Sequence, residues 1–434
     1  MADAASRLVS VAEQLLGVPL PVRIRAWDGS QAGPPGAPVI VVRNRRALRR
    51  MLFKPGELGL ARAWVSGDLD IEGDLYTALG AVAALLWEHD DDADGRSLAR
   101  AVRDPATRAA VRELIRLVGP PLPPAPPREE VRRRRHLHTR RTDKRAISHH
   151  YDVGNDFYGL VLGPSMVYSC AYWEAPGTGA SLETAQRDKL ELVCRKLGLK
   201  PGQRLLDVGC GWGSMAIHAA REHGVSAVGI TLSQEQAALA RKRVADEGLT
   251  DRVEIRVQDY RDVRDGPYDA ISSIGMAEHV GADRYLDYAR DLYDLLKPGG
   301  RLLNHQIARR PQRDETAYEV DAFIDSYVFP DGELAPVGTT VTMLERAGFE
   351  VRDVESLREH YAGTLRAWVT NLEGSWERAM RLAGPGRARV WRLYMAASAL
   401  AFERNQIGVN QVLALRTPDS GASGLPARTR LWNA

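Results

Sequence analysis

The feature that most constrains the fold is the segment RLLDVGCGWG, which runs from Arg204 to Gly213. Its first residues are mostly apolar and predict a buried strand, and three glycines alternate with other residues directly after it. Because glycine has no Cβ, such a turn lets the backbone approach a ligand closely, and a following helix presents unpaired N–H groups to it. The apolar spacing from Ser214 to Arg221 predicts that helix. The segment therefore predicts a strand–turn–helix unit with a ligand site at the turn.

The same alternation continues toward the C-terminus. Ser226 to Thr231 is predicted as a second strand, and Ser233 to Asp246 as the helix that follows it. Further predicted elements are strands at Val253 to Val257, Tyr268 to Ile274 and Arg301 to Ile307, and a helix at Val341 to Ala347. Repeated β-α units predict an α/β fold with a doubly wound sheet, whose ligands lie at the carboxyl ends of the strands.

The chain of 434 residues is long for one hydrophobic core and has an obvious point of division. The segment GPPLPPAPP, from Gly119 to Pro127, is a stiff extended spacer that can be neither helix nor central strand. We therefore predict a smaller N-terminal domain at residues 1–117, a Pro/Arg-rich linker at 118–147 and a catalytic domain at 148–434.

Charge and cysteine content restrict the class of partner. The formal charge of +3 is too small to predict a nucleic-acid partner, but Arg43 to Arg50 and Arg128 to Arg145 are strongly basic runs. Each is either a solvated surface or a contact for an anionic membrane, where one basic residue contributes on the order of 1 kcal/mol. Three cysteines in so long a chain argue against a disulfide framework and for a cytoplasmic protein. No apolar stretch reaches the roughly 18 residues of a membrane span.

Two types of cofactor site fit the glycine turn. Gly209, Gly211 and Ser214 nearly reproduce the dinucleotide pattern G-x-G-x-x-G. Against a dinucleotide, Trp212 stands where a pyrophosphate needs room, and the second strand ends in Thr231-Leu-Ser-Gln rather than in an acidic residue. Asp-x-Gly-x-Gly after a buried strand instead resembles the S-adenosylmethionine loop of class I methyltransferases.

Further motifs narrow this resemblance to one branch of those enzymes. In chain order they are His150-Tyr-Asp-Val-Gly-Asn-Asp-Phe157, Tyr168-Ser-Cys-Ala-Tyr-Trp173, Gly229-Ile-Thr-Leu-Ser-Gln-Glu-Gln236, Gly275-Met-Ala-Glu-His-Val-Gly281, Phe329-Pro-Asp-Gly332 and His360-Tyr-Ala-Gly-Thr-Leu365. Together they resemble the cyclopropane fatty acid synthases and mycolic acid cyclopropane synthases, from about His149 to Leu415. The N-terminal domain, including Phe53-Lys-Pro-Gly-Glu-Leu-Gly-Leu-Ala61, is similar to the extra domain of the bacterial phospholipid-acting enzymes, which the mycolic branch lacks.

The resemblance implies a Rossmann-like class I methyltransferase fold and a specific reaction. A methyl(ene) group would pass from S-adenosylmethionine to the cis double bond of an unsaturated phospholipid acyl chain, forming a cyclopropane fatty acid. An alkene is a poor nucleophile, so the sulfonium must be held in line with the double bond. Methyl transfer leaves a carbocation, which needs a dry pocket and a base. The resemblance implies that a bound bicarbonate ion is that base.

The resemblance also carries over site residues one by one. The catalytic pocket is expected to contain Cys170, Glu278, His305, Ile307 and Tyr361. Tyr361 and His305 can donate to an anion, while Glu278 can orient His305 or accept its proton. The cofactor-binding residues carried over are Tyr168, Ser169, Asp207, Gly209, Gly211, Gly213, Thr231, Leu232, Gln236, Asp259 and Tyr260. The sequence has no Cys-x-x-Cys or His-Glu-x-x-His pattern, so we predict no metal.

Cys170 keeps two interpretations, because it either lines the anion pocket or is a buried structural thiol. A nucleophilic role is not expected, since alkene methylation needs no covalent enzyme intermediate. Two positions depart from the family pattern. Ser398 stands where family members often carry a cysteine, and Ala277 stands where many relatives carry phenylalanine. A smaller residue at position 277 could reshape the acyl pocket, which leaves the product open.

Several alternatives follow from these observations. Loss of a different proton from the same cation would give a methylene branch, which a partner reductase could convert into a methyl branch. The expected partners are unsaturated membrane phospholipids and the anionic inner face of the membrane, and a homodimer is left open. A non-catalytic lipid- or cofactor-binding protein is disfavoured by Glu278, His305 and Tyr361. A small-molecule or RNA methyltransferase explains neither the aromatic segment before the cofactor loop nor the N-terminal domain.

Overall fold

The computed structural model describes residues 3–90, 105–119, 122–131, 153–174, 180–315, 318, 320–330 and 332–426. Most of the predicted linker, with the basic run from Arg132 to Arg145, lies outside these residues, as does the start of the His150 motif. The chain forms two compact units. One consists of Met1–Arg132, Ala322–Val328 and Gly384–Leu400, and the other of Arg133–Asp321, Phe329–Ala383 and Ala401–Ala434.

The helices and strands of the described residues have the following bounds. The helices are α1 (Ala4–Leu16), α2 (Arg46–Phe53), α3 (Glu57–Val65), α4 (Leu75–Asp90), α5 (Pro105–Val118), α6 (Asn155–Leu162), α7 (Leu182–Leu197), α8 (Ser214–His223), α9 (Gln234–Asp246), α10 (Tyr285–Asp294), α11 (Ala322–Tyr327), α12 (Val337–Arg346), α13 (Arg358–Gly374), α14 (Trp376–Ala383) and α15 (Pro385–Glu403). The strands are β1 (Arg23–Arg25), β2 (Gln31–Ala32), β3 (Val39–Val42), β4 (Leu69–Glu72), β5 (Arg204–Val208), β6 (Ser226–Thr231), β7 (Val253–Val257), β8 (Tyr268–Ile274), β9 (Leu296–Arg309), β10 (Glu350–Ser356) and β11 (Ile407–Leu415). Within the described part of the chain, no helix combines the length and apolar character needed to cross a membrane.

The first unit contains a four-stranded mixed sheet of order β2-β1-β3-β4. Its helices α1, α2 and α5 pack through an apolar cluster that includes Leu8, Leu48 and Leu117. Helix α1 begins where Asp3 accepts a hydrogen bond from the Ser6 N–H, and it ends at Gly17, whose φ of 73° suits glycine.

Two later segments complete the first unit. The Trp64 indole N–H donates to the Arg389 carbonyl at 2.9 Å, and the Arg389 guanidinium lies 4.4 Å from the Trp64 ring centroid. In the same unit Arg62 pairs with Glu130, which also accepts from the Tyr327 hydroxyl at 2.8 Å. These contacts join residues far apart in the sequence, so the compact units do not follow the boundaries 1–117, 118–147 and 148–434. The functional roles given to those segments stay predictions.

The second unit confirms the predicted α/β class I methyltransferase fold. Its seven-stranded sheet has the order β10-β11-β9-β8-β5-β6-β7, with β5 to β9 parallel and β10 and β11 antiparallel to their neighbours. Helices α7, α8 and α9 cover one face, and α10 and α12 cover the other. The direction of winding reverses between β5 and β8, which is where a ligand site is expected in such a sheet.

Candidate active site

A cavity lies at the carboxyl ends of β5, β6 and β8, at the predicted glycine turn. Seven of the predicted cofactor-binding residues line it: Gly209, Gly211, Thr231, Leu232, Gln236, Asp259 and Tyr260. A Cβ on Gly211 would meet no atom within 4 Å and would extend into open space, while one on Gly209 would touch Met276 at 3.4 Å. Both glycines have positive φ. Because glycine has no Cβ, it can adopt this backbone conformation and leaves room beside the backbone.

The rim of this cavity carries neutral polar groups at the end of β6. The Thr231 hydroxyl donates to Gln236 Oε1 at 2.8 Å and accepts from the Ser233 N–H at 3.2 Å. On the neighbouring turn, both oxygens of Asp259 accept from Arg261, at 2.8 and 2.7 Å. Hydroxyl, amide and carboxylate groups around a glycine turn suit the ribose hydroxyls and adenine nitrogens of an adenosine cofactor.

The other predicted cofactor residues lie off this cavity. Asp207 is buried and accepts from the Ser272 hydroxyl at 2.7 Å, and burial raises its pKa to about 6. A Cβ on Gly213 would contact Ala240 at 3.3 Å, so this glycine permits close packing at the start of α8. The Tyr168 ring packs against Tyr158 and Trp368. For these residues, and for Ser169, a role in cofactor binding stays a prediction.

Glu278 lies in the 3₁₀ helix Ala277–His279, beside the cavity but facing away from it. His279 and Met276 line the cavity, whereas Glu278 Oε1 accepts from the Ile307 N–H of β9 at 2.8 Å. The residue is partly exposed as a whole, but its Oε2 is buried and has no hydrogen-bond partner within the described ranges of the chain. Burial raises the pKa of this carboxyl to about 7. Ile307, which the sequence places in the catalytic pocket, therefore holds Glu278 through its backbone N–H.

His305 lies on the same strand, two residues before Ile307, so the two side chains share one face of the sheet. The ring is buried, and its Nδ1 lies 3.2 Å from the amide nitrogen of Gln411 on β11. Its Nε2 is buried, and no described residue forms a hydrogen bond with it. Burial, with Lys189 and Lys196 nearby, holds the pKa well below its ordinary value, so the imidazole is neutral at physiological pH.

Cys170 and Tyr361 meet at the start of α13. The Cys170 thiol lies 3.6 Å from the Leu357 carbonyl, which also accepts from the Tyr361 N–H one turn later at 3.1 Å. Burial raises the pKa of the Cys170 thiol far above neutrality, and a thiol that stays protonated is a poor nucleophile. The Tyr361 ring packs against Phe402 and Trp368, with centroids 4.8 and 6.0 Å apart.

The structure also contains buried polar residues that the sequence analysis did not single out. Lys189 Nζ donates to the Ser169 hydroxyl at 3.0 Å, and burial lowers its pKa to about 8. Lys196 Nζ donates to Gln411 Oε1 at 2.8 Å. The sequence does indicate that these lysines are buried, because Lys189 and Lys196 fall on the same helical stripe of α7 as the buried Val193. A charged residue on an apolar stripe indicates a buried polar partner.

One group of metal-ligand types comes together among the described residues, away from the site. Possible ligand atoms of Cys194, His218 and His223 lie within 4.8 Å of one another. Both imidazole Nε2 atoms, however, lie near Glu191 Oε2, at 3.2 and 3.0 Å. The two imidazoles therefore have a carboxylate partner without a metal ion, and the absence of a metal stays a prediction.

The Glu278 carboxyl is expected to titrate near pH 7 in the folded protein. Burial disfavours the charged form, so the group is protonated below this pH and ionised above it. Infrared difference spectra between wild type and Glu278→Gln should show the C=O band of the protonated carboxyl. As the pH is raised, this band should disappear in a titration with its midpoint near pH 7. A midpoint close to the ordinary value of 4.5 would contradict the buried placement.

Comparisons with known proteins agree with this geometry. The sequence model of the family described as mycolic acid cyclopropane synthetase matches residues 138–412. The chain is 45% identical over 421 residues to a probable fatty acid methyltransferase of Mycobacterium tuberculosis, covering 94% of each protein. It is 39% identical over 272 residues to the cyclopropane-fatty-acyl-phospholipid synthase of Escherichia coli K12, covering 63% of this chain and 68% of that protein.

A solved structure supports the cofactor. The mycolic acid cyclopropane synthase CmaA1 complexed with SAH and CTAB superposes with a TM-score of 0.59 at 32% identity, over 63% of this chain and 98% of that one. The family resemblance, the fold and the S-adenosylmethionine cofactor predicted from the sequence are thereby confirmed. The chain belongs to the mycolic acid cyclopropane synthetase family and is an S-adenosylmethionine-dependent methyltransferase of the cyclopropane-fatty-acyl-phospholipid synthase type.

Proposed function

We propose that this enzyme closes a cyclopropane ring across the cis double bond of an unsaturated phospholipid acyl chain, with bicarbonate as the base. The observation that carries the proposal is that two buried polar atoms, Glu278 Oε2 and His305 Nε2, have no hydrogen-bond partner among the described residues. Buried polar atoms are usually hydrogen-bonded, and Glu278 is bound to Ile307, two residues from His305 on β9, so these two atoms favour a shared ligand.

The types of these two atoms fit bicarbonate. An ionised carboxylate only accepts hydrogen bonds, whereas the imidazole can donate one. Bicarbonate has one O–H that can donate to Glu278 and further oxygens that can accept from His305. Bound between them, it would supply a base for the proton lost on ring closure.

The chain's own residues make the surroundings suitable for a cationic reaction. When bound in the neighbouring cavity, S-adenosylmethionine supplies an electrophilic methyl group. The rings of Tyr361, Trp368 and Phe402 pack into a buried aromatic cluster, and aromatic faces attract positive charge. The neutral Cys170 thiol lies 3.6 Å from the Leu357 carbonyl, directly before the helix that carries Tyr361. These residues favour a carbocation on an acyl chain and protect it from water.

The experiment that tests the function is product analysis by proton NMR. Purified enzyme would be incubated with S-adenosylmethionine and vesicles of a cis-monounsaturated phospholipid, and the recovered lipid examined. We expect high-field cyclopropyl signals. Vinylidene signals would show instead that the product is methylene-branched. This alternative is kept because the small residue Ala277, which could reshape the acyl pocket, is buried directly beside Glu278. Methylation of a free acid or thioester but of no phospholipid would overturn the substrate class.

Cys170→Ala is expected to lower turnover only mildly, by about tenfold or less. The thiol makes weak contacts to the carbonyls of Ala171 and Leu357, at 3.1 and 3.6 Å, and such a contact contributes about 1 kcal/mol. Steady-state rates at increasing bicarbonate concentration would measure the change, and added bicarbonate should recover part of the loss. Complete inactivity of Cys170→Ala at every bicarbonate concentration would contradict this expectation and support a nucleophilic role for Cys170.

We propose further that the first unit docks on the inner face of an anionic membrane. Most of the large apolar side chains that are exposed in the described residues belong to it: Leu15, Leu52, Phe53, Val111, Ile115 and Leu122. On α5, the exposed Val111 and Ile115 share a stripe with the exposed Arg108, Arg112 and Arg116. An apolar stripe flanked by arginines suits the boundary between acyl chains and anionic headgroups.

The triple variant Leu52→Ser, Phe53→Ser, Ile115→Ser is expected to bind anionic vesicles at least about tenfold more weakly, because burying such side chains contributes roughly 1.5–3 kcal/mol each. The matched control is Val354→Ser, Leu382→Ser, which removes exposed apolar side chains from the second unit. Vesicle sedimentation should show salt-sensitive binding for wild type and control. Equal binding by the triple variant and the control would contradict docking through this surface.

A further inference from the structure

We infer that Lys196 and Gln411 are positioning residues that hold the proton of His305 on Nε2, so that this nitrogen donates a hydrogen bond to the catalytic anion. The inference rests on the proposed function for the identity of the anion. The tautomer itself follows from the contacts of three buried side chains, those of Lys196, Gln411 and His305.

Lys196 fixes the orientation of the Gln411 amide. A lysine ammonium can only donate, so the Gln411 atom 2.8 Å from Nζ must be the amide oxygen. The side chain of Lys196 is fully buried beside two carboxylates, since it pairs with Glu355 and lies 3.9 Å from Asp353. A reversed amide would place its NH2 group against this ammonium.

The oriented amide then fixes the imidazole. With its oxygen toward Lys196, Gln411 presents its NH2 group to His305 Nδ1, 3.2 Å away. Nδ1 must accept this hydrogen bond and therefore carries no proton. The buried ring is neutral, and a neutral imidazole carries one proton, which is left on Nε2.

The strand register makes this arrangement rigid. His305 and Gln411 are directly paired residues on the antiparallel strands β9 and β11. Nε2 is the ring nitrogen without a hydrogen-bond partner in the part of the chain that the structure describes. In this tautomer it offers an N–H to an anion, whereas in the other tautomer it would present a lone pair and repel the anion.

The tautomer can be read directly by NMR of the full-length protein labelled with ¹⁵N-histidine. The His305 signals are assigned by their loss in His305→Ala, and long-range correlations report which ring nitrogen carries the proton. We expect Nε2–H in wild type. In Gln411→Glu, the new carboxylate should accept a hydrogen bond from Nδ1–H and so convert His305 to the Nδ1–H form. The control is Asn410→Asp, which makes the same chemical change at the next residue of β11 and should leave the His305 tautomer unchanged.

Kinetics test whether the tautomer matters. Gln411→Glu is expected to raise the KM for bicarbonate by about tenfold or more, as for loss of a hydrogen bond to a charged group, with S-adenosylmethionine affinity unchanged as proof of folding. An Nδ1–H tautomer in wild type would overturn the inference. So would a converted tautomer with an unchanged KM for bicarbonate. Because the NMR result does not depend on the lipid product, failure of the proposed function would be distinguishable from failure of this inference.

Discussion

Glu278→Gln is expected to lower the turnover number by about 10²–10⁴-fold, the usual range for a group that handles protons. The amide oxygen can still accept from the Ile307 N–H, so the local structure should persist. An amide NH2 group, however, would face the proposed anion site, where the carboxylate oxygen would accept a hydrogen bond. Single-turnover methyl transfer at saturating S-adenosylmethionine would measure the loss.

The control for this variant is cofactor affinity. Glu278 does not line the cofactor cavity, although its neighbours Met276 and His279 do. Calorimetric titration should therefore give nearly the same dissociation constant for S-adenosylmethionine in wild type and Glu278→Gln. A large loss of cofactor affinity would show that Glu278 belongs to the cofactor site.

His305→Ala is expected to lower turnover by a similar factor of about 10²–10⁴. The substitution removes the Nε2 donor and leaves the Gln411 amide without its partner on β9. A matched comparison is His279→Ala, because His279 lines the cofactor cavity. That variant should act mainly on S-adenosylmethionine binding, and His305→Ala mainly on the chemical step. The reverse pattern in calorimetry and single-turnover kinetics would contradict the division between the two sites.

The β-α units could be predicted because their signals are local. Val253 to Val257 and Tyr268 to Ile274 form strands with the predicted bounds. The sequence predicts that the helix begins at Ser233, and in the structure Ser233 caps this helix by accepting a hydrogen bond from the Gln236 N–H. Helix α12 begins at Val337, four residues before the predicted start, because Pro336 stands directly before its first turn.

The set of chain segments that forms the first unit could not be predicted, since it depends on contacts between segments that are distant in the sequence. Trp64 and Arg389 are separated by 325 positions, yet each binds the backbone of the other. The proline-rich segment does divide the sequence, but α11 and most of α15 join the unit that precedes it. No periodicity within either helix indicates that partner.

The candidate site was predictable in its residue types but not in its hydrogen bonds. Motifs indicated Glu278 and His305, while their unpaired atoms and the Lys196–Gln411 contact appear only once β9, β11 and α7 are packed together. Ile307 was expected in the pocket, but a sequence cannot reveal that its N–H holds Glu278.

Glu278 Oε2 and His305 Nε2 are proposed to hold a bicarbonate ion that acts as the base. The most direct measurement is the initial rate of lipid methylation in carbon dioxide-free buffer as bicarbonate is added back. We expect a low rate that rises saturably with bicarbonate in wild type and stays low in Glu278→Gln and His305→Ala. A wild-type rate that is full without bicarbonate and does not respond to its addition would contradict this role of bicarbonate.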